Sequence, residues 1–272
     1  MKLINGLFIL ITGLVFTSCS KVIDVKLPTA APKLVIEASI DWYKNTPGNE
    51  QRIILSTSTG YYNEAFPSVS GAQIRITNSQ QTTFTFSETS KKGEYLCTNF
   101  VPEVGNTYQL TVVLNDVTYI ATETFMATPD IESVTHTAKG GMTGDEYEVQ
   151  FSWQDDGSQD NYYMSRTKIN RIAFPDLDVE SDENYQGRKM TEFFSHEDLV
   201  EGDSINIKIY GVSRRFHDYF KKVIAASGND GSPFPAVPTA ARGNIVNQKN
   251  ADDYPFGYFR LSQVATRDYK IQ

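Results

Sequence analysis

The sequence predicts a mainly β protein built from two antiparallel β-sandwich domains, the second carrying one amphipathic helix. Three observations carry that prediction. Between residues 34 and 128, apolar side chains recur at every second position in short runs bounded by Gly, Pro, Asn and Asp, the pattern of strands half-buried against a core. A second set of such runs follows Pro129, which marks the boundary. One stretch alone, "SRRFHDYFKKVIAASG", repeats at the helical period instead.

In the first domain, 34–128, strands are expected at "LVIEASI", "QRIILSTS", "AQIRITN", "TTFTFSE" and along "TYQLTVVLNDVTYIATETF". Ala72, Ile74 and Ile76 face one way, and Gln73, Arg75 and Thr77 the other. Tyr108, Leu110, Val112 and Leu114 form a second apolar face, after which Asn115-Asp116 makes a two-residue hairpin turn into Thr118–Phe125. About six or seven strands suffice for a small sandwich of immunoglobulin-like or transthyretin-like kind.

The second domain, 129–272, contains the strongest alternation: Tyr147, Val149, Phe151 and Trp153 against Glu148, Gln150 and Ser152. Further strands are expected at "NYYMSRTKI", "SINIKIYGV" and finally "GYFRLSQV". The helix, 214–226, places Phe216, Tyr219, Phe220, Val223 and Ile224 in one stripe. Ser213 is its N-cap, Gly228 its stop, and Arg214, Arg215, Asp218, Lys221 and Lys222 its wet face. A stripe of this width serves the core of its own domain, and a partner-binding helix is the sharper alternative. A long loop, 228–257, with Pro233, Pro235, Pro238 and Pro255, then leads to the last strand; loops of this length inside a domain usually serve function.

The amino-terminal segment reads as an export signal over 1–18: Lys2 is basic, Leu7–Phe16 is apolar but too short to span a membrane, and Thr17-Ser18 are small. Phe16-Thr17-Ser18-Cys19 resembles the bacterial lipobox, so Cys19 is the expected lipidation site and 19–33, with Pro28 and Pro32, the lipidated tether. A plain secretory signal is the alternative, because Phe16 stands where leucine is usual. Acylation would anchor the chain, since each buried methylene contributes about 0.8 kcal/mol. It would also leave Cys97 without a disulfide partner, as a small buried hydrophobe. The composition, 40% apolar and 21% charged with a formal charge of −8, suits a globular body and disfavours nucleic-acid binding.

No motif supplies a catalytic centre, and no cofactor or metal is expected. His136, His196 and His217 lack any local motif for a triad, and GxSxG, HExxH, CxxC and phosphate-loop patterns are absent from the sequence. Paired carboxylates across a cleft remain open as hydrolytic chemistry. Two acidic stretches offer oxygen ligands of the kind calcium takes: Asp155, Asp156, Asp160 and Asn161, and Asp176, Asp178, Asp182 and Glu183. Neither has EF-hand spacing; the first reads as the turn after the Trp153 strand, the second as a solvated loop. Aromatic residues near strand ends, Trp42, Tyr43, Tyr61, Tyr62 and Phe66, together with Phe234 and Pro235 in the long loop, are candidate partner or ligand contacts. Capping of the sandwich is the equal alternative for the first five.

The succession "IDVKLP", "LVIEASI", "PSVSGAQIRITN", "GEYLCTNFVPEVGNTYQLTV", "YIATETF", "NYYMSR", "GSPF", "GNI" and "GYF" after Cys19 resembles outer-membrane lipoproteins of Bacteroidota grouped as a family of unknown function, often encoded beside SusC-like TonB-dependent receptors. Within it, "VSGAQIRI" and "GNTYQLTV" resemble the carboxypeptidase regulatory-like sandwich, a fold that generally carries no catalysis. The resemblance implies a non-enzymatic outer-membrane lipoprotein, at the cell surface or in the periplasmic leaflet, acting as accessory or binding subunit of a TonB-dependent nutrient transporter. A carboxylate-dependent surface hydrolase and an adhesin-like binding module are the alternatives. Asp203-Ser204-Ile205 also resembles the phylum's short O-glycosylation acceptor, with Ser204 the modified residue.

Overall fold

The computed structural model describes residues 31–60, 65–227 and 241–272. The signal 1–18, Cys19 and most of the tether, Tyr61, Tyr62, Phe234, Pro235 and the helix stop Gly228 lie outside the described residues. Strands β1 (Leu34–Tyr43), β2 (Gln51–Thr57), β3 (Gln73–Asn78), β4 (Thr83–Glu88), β5 (Glu94–Cys97), β6 (Thr107–Leu114) and β7 (Val117–Thr124) come first. They are followed by β8 (Ile131–Gly140), β9 (Glu146–Gln154), β10 (Tyr162–Ile169), β11 (Asp176–Ser181), β12 (Lys189–Ser195) and β13 (Ser204–Val212). Helix α1 (Arg214–Ser227), β14 (Val246–Asn247) and β15 (Phe256–Lys270) complete the described elements. The fold is mainly β, as expected.

A curled sheet runs in the order β11-β10-β13-β15-β1-β2-β5-β4-β3-β6-β7-β14, and a smaller one in the order β12-β9-β8. The curl folds the β1-β2-β5 part over the β3-β6-β7 part, and the predicted inward faces meet there. Ile36, Ile40, Ile74, Ile76, Tyr108, Leu110 and Val112 are all buried in this first core. Cys97 joins them; burial pushes its thiol up from the ordinary range, so it behaves as the expected small hydrophobe. The β6–β7 hairpin closes through Leu114 opposite Val117, with Asn115 at φ 48° and Asp116 at φ 59°. Both values are left-handed, as a two-residue turn of this hand requires. Replacing Asp116 by Gly is therefore expected to raise stability by about 0.5 kcal/mol, the relieved strain slightly exceeding the added freedom of the unfolded chain. An unchanged or lower urea midpoint would show that the Asp116 side chain contributes more than its backbone costs.

The second core lies between β9-β12 and β10-β13, where Val149, Phe151 and Trp153 are buried against Ile205, Ile207 and Ile209. The last strand was expected at "GYFRLSQV"; it runs on to Lys270 and belongs to both cores. Its first half pairs in parallel with β1, from Val35–Phe256 to Tyr43–Val264, and its second half antiparallel with β13. Phe259 and Leu261 therefore enter the first core and Ala265 the second. The polar sequence "TRDYK" hid this continuation, because edge-to-edge pairing with β13 needs no apolar alternation.

A second correction concerns Asp176, Asp178, Asp182 and Glu183, read as a solvated loop. Residues 176–181 form β11, paired with β10, and Asp182 is buried just beyond it. Acids at every second position masked the strand signal of Leu177 and Val179. Between the two cores, residues 126–128 lie against β13 and β15: Met126 N–H donates to the Leu261 carbonyl at 3.2 Å and Gln263 N–H to the Met126 carbonyl at 2.9 Å. Gly211 admits this segment, since a Cβ there would stand 1.7 Å from the Ala127 carbonyl oxygen.

Helix α1 packs on the face of β10, β13 and β15 opposite the second core. Phe216 is buried with Met164, Val179, Tyr210, Val212, Tyr258 and Val264, and Tyr219, Phe220 and Ile224 pack against them. The stripe thus serves its own fold, while Arg214, Arg215, Asp218, Lys221 and Lys222 are exposed, as the spacing predicts.

Candidate functional site

The amino-terminal half of α1, the chain 242–244 and the start of β15 enclose a depression of about 230 Å³. Each wall has a local cause. The Ser213 hydroxyl accepts from the Phe216 N–H at 3.2 Å and so starts the helix. From there Arg215, Asp218, Tyr219 and Lys222 fall on one side of the helix, at helical spacing. The opposite wall is held by Asn244, whose side chain donates to the Phe259 carbonyl at 2.8 Å and accepts from the Phe259 N–H at 2.9 Å. This two-point clamp seats the loop on β15 and presents Arg242. Close approach demands glycine: a Cβ on Gly243 would lie 1.9 Å from the Gly257 carbonyl oxygen.

Beneath the depression is a buried carboxylate. Glu123 accepts from the Ser213 hydroxyl and from the Tyr258 hydroxyl, each at 3.0 Å, with Asn244 Nδ2 at 3.5 Å. These donors satisfy a charge removed from water, and they tie β7, the helix start and β15 together. Burial, reinforced by Glu123, pushes the Tyr258 phenol above its ordinary range, so it remains a neutral donor. Its ring lies 4.8 Å from that of Tyr219, giving the depression an aromatic flank.

The rim is cationic. Among the described residues, Arg215, Lys222 and Arg242 face one rim carboxylate, Asp218. Asp218 is already occupied by His217 Nδ1 at 3.1 Å and, more loosely, by Arg214 at 4.0 Å. Arg242 lies 4.6 Å over the Tyr254 ring and donates to the Ala251 carbonyl at 2.7 Å, which holds its position. Among the described residues, Arg215 and Lys222 have no ion-pair or hydrogen-bond partner on their side chains. Against Asp218 on the rim and Glu123 beneath, the three cations leave an excess of positive charge among the described residues of this concavity, in a chain of formal charge −8.

Among the described residues, the aromatic candidates Trp42, Tyr43 and Phe66 do not converge on one site. Trp42 donates to the Thr46 carbonyl at 2.8 Å and meets Phe125 edge-on, capping the first core. Its neighbour Tyr43 points to the other face of β1, where Lys208 donates to its hydroxyl at 2.7 Å. Phe66 is exposed and apart. Ser204 opens β13, and the adjacent Asp203 is buried and paired with Arg171 at 3.0 Å, so that aspartate has a structural duty.

The two acidic stretches meet without forming a cation site. Asp155 accepts from the Tyr163 hydroxyl at 2.7 Å and the Gly187 N–H at 2.8 Å, while Asp182 accepts from the Asn161 N–H at 2.8 Å. Among the described residues, no group of three or more His, Cys, Asp or Glu side chains is placed to hold a metal ion. The histidines stay separate: His136 contacts the Tyr269 hydroxyl at 2.7 Å, and His196 and His217 each neighbour one aspartate.

Sequence reasoning saw Arg215 and Lys222 only as a wet helix face and did not single out Glu123. The available signal was the pair of phrases "GNI" and "GYF", which the fold brings together as the clamp and floor of this depression.

Fold and site together define a mainly β protein with a helix-backed cationic depression beside the start of β15, the strand shared by its two cores. The chain belongs to the family described as Domain of unknown function (DUF4249), whose model matches residues 20–268. No curated protein matches it. Similar solved structures include a two-domain fibronectin type-III segment of chicken tenascin, 11% identical, covering 66% of this chain and 90% of that one, with a TM-score of 0.23. A DUF4785 family protein of Legionella pneumophila is 9% identical, with coverage of 67% and 53% and a TM-score of 0.25. A cytokine receptor complex chain is 8% identical, with coverage of 68% and 86% and a TM-score of 0.25.

Proposed function

We propose that this protein is a non-catalytic outer-membrane lipoprotein, anchored through Cys19, that serves as a binding subunit of a TonB-dependent nutrient transporter. The observation that carries the binding role is the cationic rim around a concavity, in which Arg242 is held in place by Ala251 and Tyr254 while Arg215 and Lys222 have no side-chain partner among the described residues. Buried Glu123 and the Asn244 clamp hold that surface rigid, which lowers the entropic cost of engaging a partner.

The test is an affinity pull-down of tagged protein from detergent-solubilised native outer membrane, read by mass spectrometry. Recovery of a TonB-dependent receptor is expected with the wild type. Cys19→Ala should reduce it by removing the anchor, and Arg215→Glu/Lys222→Glu should reduce it at least tenfold by reversing the rim charge. Both rim residues are exposed, so the thermal transition of the double variant should stay within about 2 °C of wild type. Recovery of no membrane partner by the wild type would overturn the accessory role.

A further inference from the structure

We infer that the depression between α1 and the 242–244 chain is a binding site for a small oxyanion, a carboxylate or phosphate group carried by a low-molecular-weight cargo. The inference deepens the binding role proposed above and rests on it for its biological setting. Four features point to this ligand class. Among the described residues, the rim presents three cationic side chains from two chain segments, and its one carboxylate is already engaged by His217 and Arg214. Arg215 and Lys222 are left with unused donors facing the same concavity, and charge-assisted bonds to an oxyanion are what such donors make best.

The third feature is size. About 230 Å³ is below the range of drug-sized pockets, and suits one anionic group with a single ring or short chain. The fourth is the aromatic flank. The half-buried Tyr219 ring, backed by the buried Tyr258 ring, supplies an apolar edge for the remainder of such a molecule, while the Tyr258 hydroxyl is committed to Glu123 and does not compete for the anion. Arg242 is held by Tyr254 and Ala251, so one of the three cations is already in place before the ligand arrives.

The experiment is isothermal titration of the full-length lipidated protein in neutral detergent with inorganic phosphate and, separately, with sodium glucuronate, at constant ionic strength against a sodium chloride control. Saturable heat with either oxyanion and none with chloride is expected. Arg215→Gln/Lys222→Gln should weaken binding at least tenfold, and Arg242→Gln should weaken it several-fold. Tighter phosphate binding would assign a phosphorylated cargo, and tighter glucuronate binding a carboxylate cargo. The inference is overturned if neither anion exceeds chloride, or if the double variant binds as tightly as wild type. Receptor recovery in the pull-down together with no anion binding would remove this inference alone. Anion binding without receptor recovery would remove the accessory role and leave the site.

Discussion

Glu192→Gln is expected to make the protein more stable near pH 9 by about 2 kcal/mol and to leave it nearly unchanged near pH 4. The cause is a strand period that points an acid inward. On β12, Met190 and Phe194 are buried in the second core, and Glu192 lies between them on the same face. Ser165 of β10 donates to its carboxyl oxygen at 2.5 Å. Enclosure between the sheets, and then the charges of Asp178, Glu180 and Asp176, push the carboxyl from 4.5 up to about 8, against the pull of the Ser165 bond.

The folded chain therefore keeps a proton that an unfolded glutamate releases. Its contribution to stability is fully present below about pH 4.5 and is lost as the pH rises to about 8. Asp176 and Glu180 are raised as well, chiefly by burial, and titrate in the same sense; His196 opposes the shift at Asp176, and Lys221 and His217 oppose it at Glu180. Glutamine keeps the shape of the protonated acid and removes the charge. Residual solvent contact at Glu192 reduces the full shift to the stated magnitude, about 5 °C in thermal midpoint for a chain of this size. Denaturation curves at about pH 4, 7 and 9 test it; profiles of variant and wild type that run parallel would remove Glu192 as the source.

A loss of at least about 3 kcal/mol is expected for Gly257→Ala. Gly257 has φ +99°, which strains any residue with a Cβ, and an added Cβ would stand 2.1 Å from the Ile36 carbonyl oxygen. That position lies in the parallel β1–β15 pair, so the clash cannot be relieved without parting the strands that join the two cores. The same residue receives Gly243, so the substitution should also loosen Arg242 and weaken oxyanion binding. Gly105→Ala is the control: its φ of +80° is comparable but nothing lies within 4 Å of an added Cβ, so it should cost only about 1 kcal/mol. Equal urea midpoints for the two variants would show that the Gly257–Ile36 contact is not what holds β15 in place.

These two positions also mark the limit of what the sequence made legible. Alternation identified Ile74, Tyr108, Phe151 and Trp153 as core residues, and the helical period placed Phe216 inward with Arg215 and Lys222 outward. Such periodicities are local, because a half-buried element must repeat its apolar side at its own period. Where an inward position is polar the same logic fails: "DLDVESDEN" read as a loop because β11 turns acids toward the edge of the second sandwich, and Glu192 was invisible for the same reason.

The sequence by itself determined the class of fold, the hairpin at Asn115-Asp116, the helix with its cap, and the expectation of a lipid anchor at Cys19. Tertiary structure alone decided that β15 is shared by both cores, that Glu123 lies beneath Tyr258 and Ser213, and that Arg215, Lys222 and Arg242 share one concavity. The physical reason is sequence separation. Strand and helix signals are written within a few residues, whereas the contacts that make this site join positions more than a hundred residues apart, such as Glu123 and Tyr258, and only packing selects such partners.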